Sequence, residues 1–424
     1  MKVHKHKIVH LSNLLLVFCS VIVGAFTISS IFSGKHYQFN DCEMLVNGNI
    51  AITRYETFRN TRGSDINPGS DEIIMVNQDG EIVERLGEPE ISIRAPHSIL
   101  PLENDTYLIA DCFNGEIDLI ENKTTTWTYR IQDINWSKVD SSFNSETYFE
   151  NLMQPDPVHV NDVDIRREGS TEYLLISPRN YNMIFEINFT AARGRTNVNE
   201  SDITWWFGRP SNTSLLKMQH NPDYMEDGNI IVADSENGRI LMVNYSSKEI
   251  YWDSSHYISL YWPRDADVCP DDDDTLLITD SLNHRVLEYD MEAQVINWEF
   301  SKDIIQPYHS DYLDDDKILI VGDISANVLI IDPNQGIIEW EYKNRNSNDL
   351  FRSMFLILLS LPLVSLVRTW GKGIKYTTKK KIFMVSSSIG MIIMCMVLAI
   401  FPSIITKLLV RITDMVSRNN FIPS

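Results

Sequence analysis

Cysteine is scarce in this chain: five residues in 424, of which only Cys42, Cys112 and Cys269 fall in its central region. That permits one disulfide at most, so a fold stapled by cystines is excluded. The central region of about 300 residues is long enough to bury a core without staples. Basic charge is scarce there too. Residues 34–350 carry 24 Lys and Arg against 57 Asp and Glu, a formal balance of −33. Such a surface repels the phosphate backbone that a nucleic-acid-binding protein must attract, and no RNA or DNA partner is expected. The acidic run 271–274, after Cys269-Pro270, lacks the spaced ligands and the glycine of a calcium loop, and reads as a solvated hairpin turn.

Long apolar runs are missing from the middle of the chain and confined to its ends. The stretch 8–32 is 25 residues long, beyond the roughly 20 that cross a bilayer. No small-residue cleavage motif follows it, so the segment 1–33 reads as a basic leader and a membrane anchor rather than a removed signal. Two further candidate spans are 350–367, short and interrupted by Arg352, and 382–405. Between them the loop 368–381 holds Arg368, Lys372, Lys375, Lys379, Lys380 and Lys381, and Lys2, Lys5 and Lys7 precede the first span. The positive-inside rule puts both basic segments in the cytoplasm and the central region outside a cell membrane crossed three times. Lys407, Arg411 and Arg418 in the tail 406–424 pull mildly the other way. Seven Asn-X-Ser/Thr sequons, all between Asn104 and Asn244, agree with an external surface.

What the middle holds is a repeat. A polar residue, usually histidine, opens a short turn and leads to an apolar strand ending in Asp, with Asn three or four residues later. The copies begin at His97, His159, His220, Asp265 and His309, separated by 62, 61, 45 and 44 residues. A period of that size belongs to propellers and solenoids. In the unit from His220, Asp227-Gly228 and Asn237-Gly238 stand between apolar strands, where hairpin turns need positive φ. A tryptophan recurs in the last strand of five units (Trp127, Trp205 or Trp206, Trp252, Trp298, Trp340) and is expected to pack between sheets. A degenerate sixth unit begins near Asn40, with Asn40 in the histidine's place and Arg54 in the aspartate's.

Six four-stranded units predict an all-β fold, a six-bladed β-propeller over 39–345, flanked by one N-terminal and two C-terminal transmembrane α-helices. The first strand of every blade then faces a common axis. Asn40, His97, His159, His220, Asp265 and His309 should ring one axial opening, while Asp111, Asp234, Asp280 and Asp323, at the far end of the next strand, should cap blade turns.

Four converging imidazoles suit two tasks, holding a metal as neutral ligands or moving protons and groups near neutral pH. The third blade separates them. After "HVNDVDI" from His159 its second strand ends in "LLISPRN", so Arg179 stands where other blades have acid. An arginine repels a metal ion, but beside histidines it makes a receptor for a tetrahedral anion, and no metal is expected.

His159 and Asn161, then Ser177 and Arg179, then "WWFG" at 205–208, then Gln219-His220 before Asp227-Gly228 form a pattern that resembles the bacterial and archaeal arylsulfate sulfotransferases over residues 90–345. The resemblance implies a six-bladed propeller that transfers a sulfuryl group from an aryl sulfate to a phenolic acceptor through a sulfohistidine. It implies no cofactor and no nucleotide sulfate donor. Carried over by position, His220 is the nucleophile, His97 the acid and base for the phenolic oxygen, and His159 and Arg179 the groups that neutralise the sulfuryl oxygens. Asn161 and His309 join them as substrate-binding residues. The family's enzymes are often periplasmic and disulfide-bearing, whereas this chain has three expected spans and no clear cysteine pair. A second likeness is "LLITDSLNHRVLEYD", 276–290, which resembles an NHL repeat. In it His284 reads as a blade-packing residue. The insertion 131–154, rich in aromatics, either covers the cavity or pads the side. Two functions of different class result: a membrane-anchored sulfotransferase, or a non-catalytic surface propeller that binds a ligand or a partner.

Overall fold

β-Branched runs buried on both faces make the middle of each repeat. Ile230–Asp234 and Arg239–Val243 are such a pair, the composition of strands sandwiched between sheets. Gly228 and Gly238 supply the positive φ that the neighbouring turns need, at +80° and +67°. In this computed structural model, which describes residues 37–56, 71–103, 105–141, 143, 156–210, 212–314 and 316–343, six contiguous segments each form a four-stranded antiparallel sheet. They cover 37–87, 96–130, 160–208, 220–253, 263–300 and 307–343 and are numbered here as blades 1 to 6. The expected spans 8–32, 350–367 and 382–405, with the basic loop and tail, lie outside the described residues. Among the described residues no helix is long and apolar enough to cross a membrane.

The inner strands are Tyr37–Met44, Pro96–Pro101, Val160–Glu168, His220–Tyr224, Pro263–Cys269 and Pro307–Leu313. Each packs on the next and the last packs on the first, which closes a ring about an axis. Because every blade is one continuous piece of chain, side chains and not shared strands make the closure. Phe39, Ile52 and Ile74 of blade 1 interleave with Leu319, Val321 and Val328 of blade 6, and Phe39 stacks on Tyr342 at 6.1 Å.

The phase of the repeat differs from the expected one. Every inner strand carries a bulge at its start, where two of its residues share one partner on the second strand. Pro96 pairs with Asp111 and Ser98 with Ala110, leaving His97 extra. Pro263 pairs with Asp280 and Asp265 with Thr279, leaving Arg264; Pro307 pairs with Gly322 and His309 with Val321, leaving Tyr308. In blade 4 the bulge falls one residue later, on Asn221; counted from the pairs beyond each bulge, the residues in register are Asn40, His97, Asn161, His220, Arg264 and Tyr308. Of the six expected to form the ring, His159 stands two residues early, and Asp265 and His309 one residue late. A displaced aspartate in blade 6 and a longer hairpin in blade 5 are the causes. In blade 6 the residue in the aspartate's place is Gly322, and counting 14 residues back from Asp323 lands one position too far along; in blade 5 the acidic turn adds two residues.

Other expectations hold. Asp111, Asp234 and Asp280 cap turns, each accepting a backbone N–H from the loop that enters its own inner strand: Arg94, Lys217 and Tyr261. The acidic run 271–274 is exposed at a hairpin, with Asp271 in the turn and Asp272–Asp274 already in the second strand, Asp272–Asp280, and His284, 1% exposed, accepts the Gln306 N–H on its Nδ1. Trp127 and Trp205 are buried between sheets. In the described part of the insertion, Trp136 and Phe143 pack against Tyr181, Phe185 and Trp206 and so pad the side of blades 2 and 3. Cys42, Cys112 and Cys269 are free thiols.

Candidate active site

Three of the four expected histidines meet at the end of the axis where the inner strands begin. His97 and His159 make an edge-to-face pair with ring centroids 4.8 Å apart. Tyr308 lies between His97 and His220, its ring centroid 5.9 Å from the first and 5.8 Å from the second. All three imidazoles are held well below their usual basicity. Burial is the chief cause for each, followed by His159 at His97, by Arg179 at His159 and by Arg264 at His220.

Hydrogen bonds orient two of the rings. The Nδ1 of His220 lies 3.1 Å from the Met218 carbonyl and 2.8 Å from Ser235 Oγ. A carbonyl only accepts, so Nδ1 carries the proton and Nε2 keeps its lone pair. His97 is fixed in the same way, its Nδ1 2.9 Å from the Ala95 carbonyl. The His159 ring donates from Nδ1 to Asp156, whose other oxygen accepts the His159 N–H. His159 has φ of +50°, but Ala95, Met218, Trp262 and Gln306 share that left-handed conformation at the same place in their blades. It is therefore a property of the strand entry and not strain special to this residue.

Two arginines supply the charge. Arg179 opens a short turn, Arg179–Tyr181, closed by Asn182 in the left-handed region, and its guanidinium donates to Asn180 Oδ1. Behind that turn Gly208, the last residue of "WWFG", has φ of +92°, and a Cβ there would lie 2.6 Å from the Asn182 carbonyl oxygen. Arg264, which does not share the residue type of the repeat's other leading positions, stacks over the Tyr308 ring at 4.1 Å and donates to Asp323 at 3.0 Å. Asp323 thus anchors a cation rather than capping a turn. Arg264 and Tyr308 did leave a trace in the sequence: Pro96-His97, Pro263-Arg264 and Pro307-Tyr308 share a proline that marks the register better than the aspartate does.

Two expected site residues are elsewhere. Asn161 is fully buried and spends its amide on the Gln219 carbonyl at 2.7 Å, a latch between blades 3 and 4. His309, being one residue late, lies in the next layer with Asp265 and Asp41 at 3.0 and 3.7 Å. His97, Cys112 and His159 could place three ligand atoms within 4.8 Å of one another. Burial, however, holds Cys112 as a thiol, and Arg179 presses on both histidines. A metal ion would enter against positive charge. An anion would not. A groove between blades 1 and 6, lined by Glu43, Asp311, Lys317 and Trp340, includes none of these residues.

No family model matches the chain, and neither does any curated protein. Among solved structures it is similar to a catalytically inactive virginiamycin B lyase from Staphylococcus aureus with quinupristin, at 13% identity and a TM-score of 0.44, covering 74% of this chain and 86% of that one. A protein of unknown function from Bacteroides caccae aligns at 11% identity and a TM-score of 0.44, over 66% of this chain and 92% of that one. The WD40 propeller domain of Doa1 gives 10% and 0.44, over 74% and 84%.

Proposed function

We propose that the chain is a membrane-anchored arylsulfotransferase whose propeller, outside the cell membrane, moves a sulfuryl group from an aryl sulfate to a phenol. The observation that carries this reading is His220: a neutral imidazole with Nδ1–H tied to a carbonyl and a free Nε2 lone pair, set among His97, His159, Arg179 and Arg264. In the first half-reaction Nε2 forms a bond to sulfur while the sulfur–aryl oxygen bond breaks. The electron pair leaves on the phenolate, which takes a proton from solvent. The arginines stabilise charge on the sulfuryl oxygens. An entering sulfate monoester also offsets the positive field of Arg179, which adds to burial in keeping His159 neutral, so that this ring, backed by Asp156, takes a proton from solvent and donates it from Nε2 in a hydrogen bond. In the second half-reaction the acceptor phenol gives its proton to His97 Nε2 and its oxygen attacks sulfur. The N–S electron pair then returns to His220, and His97 releases the proton to solvent.

With a nitrophenyl or methylumbelliferyl sulfate, the protein should release phenol slowly alone and faster with added phenol, because water is the poorer acceptor. His220→Ala should abolish both burst and turnover. Arg179→Ala should cost about 2.7–4 kcal/mol, some 10²–10³-fold in rate. Activity that survives His220→Ala would put the chemistry on another residue. No activity on any aryl sulfate would leave a propeller that only binds.

A further inference from the structure

Tyr308 stands in the middle of the histidine pocket with one polar group unused. It belongs to blade 6, and in a closed ring of six the blade across the axis is blade 3. Its ring nevertheless lies 5.9 Å from that of His97 in blade 2 and 5.8 Å from that of His220 in blade 4, the two blades that flank blade 3. The ring has therefore reached across the axis. Its hydroxyl, the atom furthest from the backbone, lies beyond it on the blade 3 side, and Arg179 of blade 3 is accordingly among the charges that act on it. From one face Arg264 holds the ring, with its guanidinium 4.1 Å from the centroid and donating to Asp323 at 3.0 Å.

The residue is 3% exposed, and its oxygen is buried with no hydrogen-bond partner among the described residues. A hydroxyl taken out of water and given no partner destabilises a fold, and such groups are kept where something else comes to meet them. Burial also keeps the phenol protonated, against the pull of Arg264 and Arg179, so what it offers is a neutral O–H donor. Two guanidiniums and three imidazoles around it favour an anion as the acceptor. Arg179 from blade 3 and the hydroxyl from blade 6 then give that anion one charged and one neutral donor.

We propose that Tyr308 is a substrate-binding residue whose hydroxyl donates a hydrogen bond to an oxygen of the tetrahedral anion held by Arg179, the sulfuryl group of the aryl sulfate. The proton stays on Tyr308 throughout, so no bond to it forms or breaks during transfer. That the anion is a sulfate ester rests on the sulfotransferase reading; the hydrogen bond does not, and inorganic sulfate tests it separately. Tyr308→Phe removes the hydroxyl and keeps the ring on which Arg264 stacks. Measured by calorimetry on the full-length protein in detergent, this variant should bind inorganic sulfate roughly tenfold more weakly than the wild type, and its kcat/KM for a nitrophenyl sulfate should fall by at least as much. Its Tm without anion should equal or exceed that of the wild type, because the hydroxyl makes no contact within the fold; a purely structural tyrosine would lower it. The proposal is overturned if the wild type binds no sulfate saturably, or if Tyr308→Phe binds it within about twofold of the wild type. A Tm lowered by several degrees in the variant overturns it as well. Sulfate binding that weakens as expected, in a protein inactive on every aryl sulfate, would uphold the hydrogen bond and sink the sulfotransferase reading alone.

Discussion

A histidine is useful as a nucleophile only while it is neutral, and burial with two arginines keeps His220 so. Its folded pKa lies below the ordinary value of about 6.5, so the acid limb of kcat/KM should fall well under pH 6.5. Arg264→Gln removes the largest charge acting on His220 and should move that limb upward; a pH–rate profile showing no movement would mean that Arg264 does not act on the nucleophile. The same shift has a stability consequence of definite sign. His97, His159 and His220 are neutral when folded but take up protons when unfolded below about pH 6.5, so stability starts to fall there and keeps falling as pH drops toward their depressed folded values. Denaturant midpoints at pH 7.5 and 5.5 should differ less in the triple variant His97→Gln, His159→Gln, His220→Gln than in the wild type. At this scale the sequence was legible for His97, His159, His220 and Arg179. Arg264 and Tyr308 were hidden because neither matches the residue type that the repeat taught the eye to seek.

At the scale of elements, the inner-strand bulge and the turn behind Arg179 decide the site. Gly208 closes the outer strand of blade 3, Ile203–Gly208, against Met183, in a conformation and a space that both exclude a side chain. Gly208→Ala should destabilise the protein by about 3 kcal/mol or more, through left-handed strain and a backbone clash. It should also lower activity more than an equally destabilising core change elsewhere, because the clash falls on the turn that carries Arg179. A urea melt within 1 kcal/mol of the wild type would refute this. The motif "WWFG" was visible in the sequence, but why it ends in glycine was not, since the close neighbour is Asn182, 26 residues earlier.

Across the whole molecule, closure of the ring is the vulnerable step because no strand is shared between blades 6 and 1. Phe39, fully buried where the two meet, should cost about 3–5 kcal/mol as Phe39→Ala. Its loss should broaden the thermal transition as the terminal blades separate first; an undiminished Tm and an equally sharp transition would show closure to be made elsewhere. Membrane topology, proposed from the Lys and Arg distribution, has its own test. Protease added to intact cells should digest 34–350 and spare 368–381. Protection of the propeller would reverse the orientation.

Blade number, strand order and the division between an acidic middle and apolar ends follow from the sequence alone, because turn residues, β-branched runs and charge are local properties written at a regular period. Which side chains share a layer of the channel does not. One bulged residue, or one residue more in a hairpin, moves a side chain about 3 Å along the axis. That shift carried His309 out of the histidine pocket and into the carboxyls, and brought Arg264 and Tyr308 in. Register is set by pairing between strands and packing between blades, so the composition of each layer was decided only when the six sheets closed on one another.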